Sequence, residues 1–343
     1  MSLDDLWRRP KVEGDKERVP EKIYDPERDG EMHIEGDSEV VFSALAHQAR
    51  AVREGQEKDS DTRVLGLFLP GGMGGVFGGS EAVAFAKAGL IEGFSAVVGI
   101  STGAPIAAYA LAGPEQAQVG NSIFYEECTT KDFIRFKRLL DGYPLDVGFL
   151  SYVFRGEEGG KKGLDVAAVR KASPEFYVGV TDYQSGESLL LDAKDPNIDM
   201  ITALEASAAV PVLDNDYIEI NDTRYTDGAA SDPFPTAKVL EQFKPTHVVV
   251  FANAPEKPEV SMKTQVADSL LSRLLPENLK NGWLARREHF AEGLAALRSA
   301  SIPYTIIWND RSVKELTNDA PTVSAAAERA EAFTHKMIGK YAL

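Results

Sequence analysis

Residues 65–113 read LGLFLPGGMGGVFGGSEAVAFAKAGLIEGFSAVVGISTGAPIAAYALAG. Two apolar runs, LGLFL and SAVVGI, each lead into a glycine-rich turn, and small residues at helical spacing follow each turn. Apolar runs without polar alternation suit strands of a parallel sheet covered on both faces. Strand, glycine turn, helix SEAVAFAKAGL and second strand then form one βαβ unit, with both turns at the carboxyl edge of adjacent strands. Ligand sites of open α/β sheets gather at that edge.

The pattern continues outward. RVLGLFL, FSAVVGI, EFYVGVTD, THVVVFAN and IPYTIIWND all read as buried strands between helical segments, which predicts an α/β fold of three layers, α/β/α, around a central, mostly parallel sheet. YIEINDTRYTDG departs from this, because Asn221-Asp222 between two β-prone runs predicts a two-residue hairpin turn. On the amino-terminal side, Met1 to about Gly36 is dense in both charge signs and interrupted by Pro10, Pro20 and Pro26, so an irregular arm is expected. SEVVFSALAHQARAVREGQ predicts a helix capped by Ser38, with GQEKDSDT as a polar link. The chain therefore divides into residues 1–60, a charged arm with a helix, and residues 61–343, the compact domain. DGYPLDVGFLSYVFRGEEGGKKG, residues 141–163, fits either a mobile cover over a pocket or a surface excursion with a packed aromatic cluster.

SAVVGISTGAPIAAYALAG places Ser101 on the sharp turn between strand and helix. Gly99 and Gly103 flank it, as a nucleophile elbow requires for its tight backbone and for close crossing of the helix. Pro105 falls in the first helical turn, and Gly113-Pro114 signals the stop. The helix dipole then points its positive end at the hydroxyl. A capping serine in a structural turn is the plainer alternative. The earlier turn lacks both the Gly-x-Gly-x-x-Gly and the Walker spacing of a phosphate cradle, and no lysine follows until Lys87. Backbone N–H donors from Gly71, Gly72, Met73, Gly74 and Gly75, aimed at an oxyanion, fit it better. Purely structural glycines are the other reading.

A serine hydroxyl needs a base. His33 lies in the arm, His47 on the first helix, His247 at the start of a strand, and His289 and His335 in amphipathic segments; none is placed as a base. In RYTDGAASDPFP, Asp227 directly follows the second hairpin strand with Gly228 and Ala229 behind it, and a shielded carboxylate within hydrogen-bond reach can take the proton. Asp-Gly is also an ordinary turn dipeptide, so the residues alone leave that reading open.

GGMGG, GISTG and DGA, in this order, resemble the patatin-like phospholipase family, and FYVGVTDYQSGE and ALEASAAVPVL are similar to its core segments. The resemblance covers about Arg63 to the carboxyl terminus. It implies a patatin-like fold and a lipid acyl hydrolase with a Ser101–Asp227 dyad, an acyl-serine intermediate, an oxyanion hole in the glycine turn, and no metal or cofactor. The substrate class it implies is a phospholipid, lysophospholipid or other ester. The chain departs from the family where Met73 and Gly74 stand in place of a third consecutive glycine and its neighbouring Arg or Lys, and Pro70 replaces a small or acidic residue. Two other functions stay open: a catalytically weak lipid-binding or scaffold protein, and a carboxylesterase whose Ser-Asp-His triad uses His247 or His289.

The 343 residues carry a formal charge of -16, which argues against a nucleic-acid partner and against electrostatic capture by anionic headgroups. Peripheral contact with a membrane would have to be apolar, for which FLSYVF is the candidate stretch. The lone Cys128 cannot pair within the chain and is expected to be a buried, inert thiol. With a charged amino terminus and no apolar stretch of membrane-spanning length, the expectation is a cytoplasmic protein. Composition says nothing about its oligomeric state.

Overall fold

The computed structural model describes residues 31–133, 144–156, 162–214, 217–256, 268–310 and 312–341. In chain order they form β1 (His33–Gly36), α1 (Ser38–Arg53), β2 (Val64–Phe68), α2 (Gly75–Lys87), β3 (Ala96–Ile100), α3 (Gly103–Leu111), α4 (Pro114–Glu126), α5 (Val147–Arg155) and α6 (Val166–Lys171). The chain continues through β4 (Glu175–Asp182), β5 (Ser188–Asp192), α7 (Met200–Ala208), β6 (Ile218–Ile220), β7 (Thr223–Asp227), α8 (Thr236–Phe243), β8 (His247–Phe251), α9 (Glu277–Ser299), β9 (Tyr304–Trp308) and α10 (Ala320–Tyr341).

The nine strands of the described residues join one sheet in the order β1-β9-β8-β2-β3-β4-β7-β6, with β5 paired to β4. The five central strands β9, β8, β2, β3 and β4 are parallel, and every antiparallel pairing lies toward the margins. Burial explains the unbroken apolar runs. In β2, Val64 and Phe68 face the core beneath α1–α4, α7 and α10, whereas Leu65 and Leu67 face the core beneath α8 and α9. Successive side chains of a strand point to opposite faces, so a strand covered on both sides has no polar alternation. The fold is therefore α/β in three layers, as the sequence predicts.

Two expectations change. The charged stretch reaching to Gly36 ends in a strand: β1 pairs antiparallel with β9, and its buried Glu35 accepts from Nε and Nη2 of Arg298 at 2.7 and 2.6 Å. Ser38 does not cap α1; it is the first helical residue, Asp37 precedes the helix, and neither side chain bonds the free amides. The hairpin is as read, with Asn221 and Asp222 at φ 48° and 63° between β6 and β7, the double left-handed geometry of a tight hairpin turn. Among the described residues no helix is long and apolar enough to cross a membrane.

Candidate active site

β3 ends at Ile100 and α3 begins at Gly103, leaving Ser101 to turn the chain at φ 53°. A non-glycine residue in this region costs about 1–2 kcal/mol, so neighbouring groups must hold it. Its N–H donates to Ser207 Oγ at 2.8 Å, and Ser207 Oγ donates in turn to the Gly179 carbonyl at 2.6 Å. The flanking glycines are steric: a Cβ at Gly103 would strike the Phe68 carbonyl, and one at Gly99 would strike the Ala104 backbone.

Register brings the second residue in. Ile100 faces Gly179 across β3 and β4, and Val180 faces Asp227 across β4 and β7. Residues 101 and 227 thus finish at the same level of the sheet, and Ser101 Oγ donates to Asp227 Oδ2 at 2.7 Å. Asp227 Oδ1 accepts from the Ala229 N–H at 2.7 Å, while Thr181 Oγ1 donates to the Asp227 carbonyl at 2.8 Å. Gly228 is required here, since a Cβ would run into the Gly179 carbonyl. Burial pushes the Asp227 carboxyl up to about 7, against the opposing pull of the Ser101 and Ala229 hydrogen bonds. A carboxylate poised near neutrality beside a hydroxyl can exchange a proton with it.

The glycine turn lies alongside. Thr102 Oγ1 donates to the Gly72 carbonyl at 3.1 Å, so the two turns of the opening stretch are joined directly. The turn's amides are unequal. Met73 N–H donates to the Glu315 carbonyl at 3.0 Å, Gly74 N–H to the Gly71 carbonyl at 2.9 Å, and Gly75 N–H to the Gly72 carbonyl. Among the described residues no acceptor takes the N–H of Gly71 or Gly72. α2 begins at Gly75, earlier than the segment read as helical, and continues the turn without a break.

Ser101, Gly72 and Met73 open onto a cavity of about 100 Å³, walled chiefly by apolar side chains of α3, α4 and α5, with Leu316 at its margin. The aromatic stretch of residues 149–154 lies on α5, whose Phe154 packs edge-on to Tyr109 at 5.8 Å. The part of that cover spanning 157–161, and residues 141–143 before it, fall outside the described residues. Cys128 lines the same cavity, buried, with its thiol pushed well up by desolvation.

No histidine stands between Ser101 and Asp227. His247 opens β8 opposite Val64, at the far end of the strands. His289 Nδ1 meets the Ser231 carbonyl at 2.6 Å, and His335 lies 3.5 Å from Glu331 on α10. Sequence reading passed over Ser207 and Glu315. Ser207 sits within ALEASAAVPVL, a segment noted for its likeness but assigned no role; Glu315 acts through its backbone, which leaves no residue-type signal.

No protein-family model matches the chain, and no curated protein matches it in sequence. Among solved structures, VipD from Legionella pneumophila is similar with a TM-score of 0.45 and 14% identity, over 82% of this chain and 67% of that one. Human GIVD cytosolic phospholipase A2, in complex with methyl gamma-linolenyl fluorophosphonate, gives 0.42 and 10%, over 89% and 63%. ExoU from Pseudomonas aeruginosa, in complex with SpcU, gives 0.28 and 14%, over 81% and 60%. The chain thus spans less than two thirds of the human and Pseudomonas chains, and likeness at this level has no bearing on its activity.

Proposed function

We propose that the protein is a serine acyl hydrolase that cleaves carboxylic esters of lipids through a Ser101–Asp227 dyad. The observation that carries this reading is the 2.7 Å hydrogen bond from Ser101 Oγ to a buried carboxylate, made at a strained turn facing an apolar cavity. The order of GGMGG, GISTG and DGA, which resembles the patatin-like phospholipases, supports the same assignment.

In the acylation step Ser101 Oγ forms a bond to the ester carbonyl carbon while its proton passes to Asp227 Oδ2. The carbonyl oxygen becomes an oxyanion, and the free amides of Gly71 and Gly72 are the candidates to receive it. Collapse breaks the carbon–oxygen bond of the leaving alcohol, which takes the proton from Asp227. Water then attacks the acyl-serine, Asp227 accepts its proton, and that proton returns to Ser101 as the fatty acid leaves. The apolar walls of the cavity favour the acyl part of an ester over a charged headgroup.

The test is a panel of short and long acyl esters, lysophospholipids and phospholipids, run on wild type beside Ser101→Ala and Asp227→Asn. Turnover by wild type, with each variant reduced by roughly 10³-fold or more, is the expected outcome. His247→Ala and His289→Ala should retain most of the activity. Loss of turnover in either histidine variant would support a triad, and failure of a fluorophosphonate to label Ser101 in folded wild type would favour a scaffold.

A further inference from the structure

Behind the glycine turn, at the carboxyl end of β8, sits Asn253, buried and at φ 52°. Its side-chain amide spans the turn: Nδ2 donates to the Leu69 carbonyl at 2.6 Å, where the turn begins, and Oδ1 accepts from the Gly78 N–H at 3.0 Å, where α2 is under way. Its backbone carbonyl fills the hollow between these bonds. A Cβ at Gly74 would lie 2.7 Å from that oxygen, and one at Gly71 would collide with it. Two glycines of the turn are therefore glycines because Asn253 is there.

Asn253 is itself held from behind. With its amide oriented to satisfy both ends, Asn309 accepts from the Asn253 N–H at 3.2 Å and donates to Glu81 Oε1 at 2.8 Å. Glu81 is fully buried on α2, its Oε2 has no partner among the described residues, and desolvation raises its carboxyl well above the usual range. A neutral acid suits that position, since an unpaired buried carboxylate is far costlier.

We propose that Asn253 is a positioning residue for the acyl transfer, clamping the Leu69–Gly78 turn so that the Gly71 and Gly72 amides keep a fixed direction beside Ser101. This rests on the reading of Ser101 as nucleophile. Asn253 touches no reacting atom; it acts through the turn. Asparagine meets the demand because it tolerates the left-handed backbone and offers a donor and an acceptor on one short side chain.

Two variants separate the contributions. Asn253→Gly keeps the backbone conformation and removes the clamp, whereas Asn253→Asp keeps the acceptor for Gly78 and loses the donor to Leu69. Active sites are counted by fluorophosphonate titration, and kcat per titrated site is measured on a soluble short-chain ester. The expected result is a loss of about 10- to 100-fold in kcat per site with KM changed by less than about 2-fold, the pattern of donors that act in the transition state. Amide hydrogen exchange across residues 71–78 should quicken in both variants, with β3 unchanged. A residue that merely supports the fold would lower thermal stability and the titratable fraction, leaving kcat per site intact. That outcome, or unaltered exchange across the turn in a folded variant, overturns the proposal. The exchange measurement stands even if wild type proves to have no Ser101-dependent turnover, a result that would remove the hydrolase reading by itself.

Discussion

In the left-handed turn the Ser101 N–H is taken by a buried acceptor, Ser207 Oγ, which also passes a hydrogen bond to Gly179 on β4. Ser207→Ala leaves the Ser101 N–H and the Gly179 carbonyl unpaired together, and each buried orphan costs about 1–3 kcal/mol. The variant should melt several degrees lower by calorimetry, and fluorophosphonate should label Ser101 about tenfold more slowly as the elbow relaxes. Normal labelling in a destabilised variant would show that the bond serves the fold alone. The turn at Ser101 was legible because it demands small neighbours, which leave a Gly-x-Ser-x-Gly pattern in the sequence. Ser207 was not: a serine in a small-residue helix has the same appearance whether it bonds solvent or a remote amide. Asp227 was a candidate base from its place after the hairpin strand, but only the order of three motifs set it above the plain turn reading, since Asp-Gly serves ordinary turns equally well.

The same contrast holds for whole elements. β2, β3, β4, β8 and β9 were readable because helices cover both their faces and apolar residues dominate them without strict alternation. β1 escaped reading because its sequence, HIEG, sits in a charged context and its glutamate points inward. Glu35 is nevertheless satisfied by Arg298, Tyr304 OH at 3.3 Å and Trp308 Nε1 at 3.1 Å, and Arg298 also reaches Glu256 at 2.9 Å. This cluster fastens β1 to β9 and α9. Breaking a buried ion pair from one side strands its partner, which costs on the order of 3–5 kcal/mol. Glu35→Ala should therefore lower the denaturation midpoint strongly, and Glu35→Gln less so, because the amide still accepts one bond. If both variants unfold at the wild-type denaturant concentration, the ion pair contributes nothing to holding the edge.

Across the molecule, titrating groups oppose one another. Glu256, beside His33 and Arg298, holds its proton only down near pH 2 despite burial that works the other way. A carboxyl depressed in the folded state contributes stability above its unfolded value of 4.5, and that stability is lost as pH falls toward 2. Asp227 runs in the reverse sense. Its folded value is raised from 3.8 to about 7, so the fold favours the neutral acid, and the stability this gives below the unfolded value is lost as pH rises to about 7. The proposed dyad needs the ionised form, however, so kcat/KM should climb through about pH 7 and level off above it. On the proposed mechanism, ionising Asp227 thus switches activity on and lowers stability over one pH interval. Asp227→Asn exposes the conflict, because an uncharged isostere carries no such penalty. The variant should match wild type near pH 4, gain on it steadily to about pH 7, and remain more stable above that by an amount on the order of 2–4 kcal/mol. Melting curves of both proteins from pH 4 to 8, set beside the wild-type rate profile, measure the two effects together. A stability difference that does not change with pH would mean that Asp227 titrates at an ordinary carboxylate value and is not poised as the base.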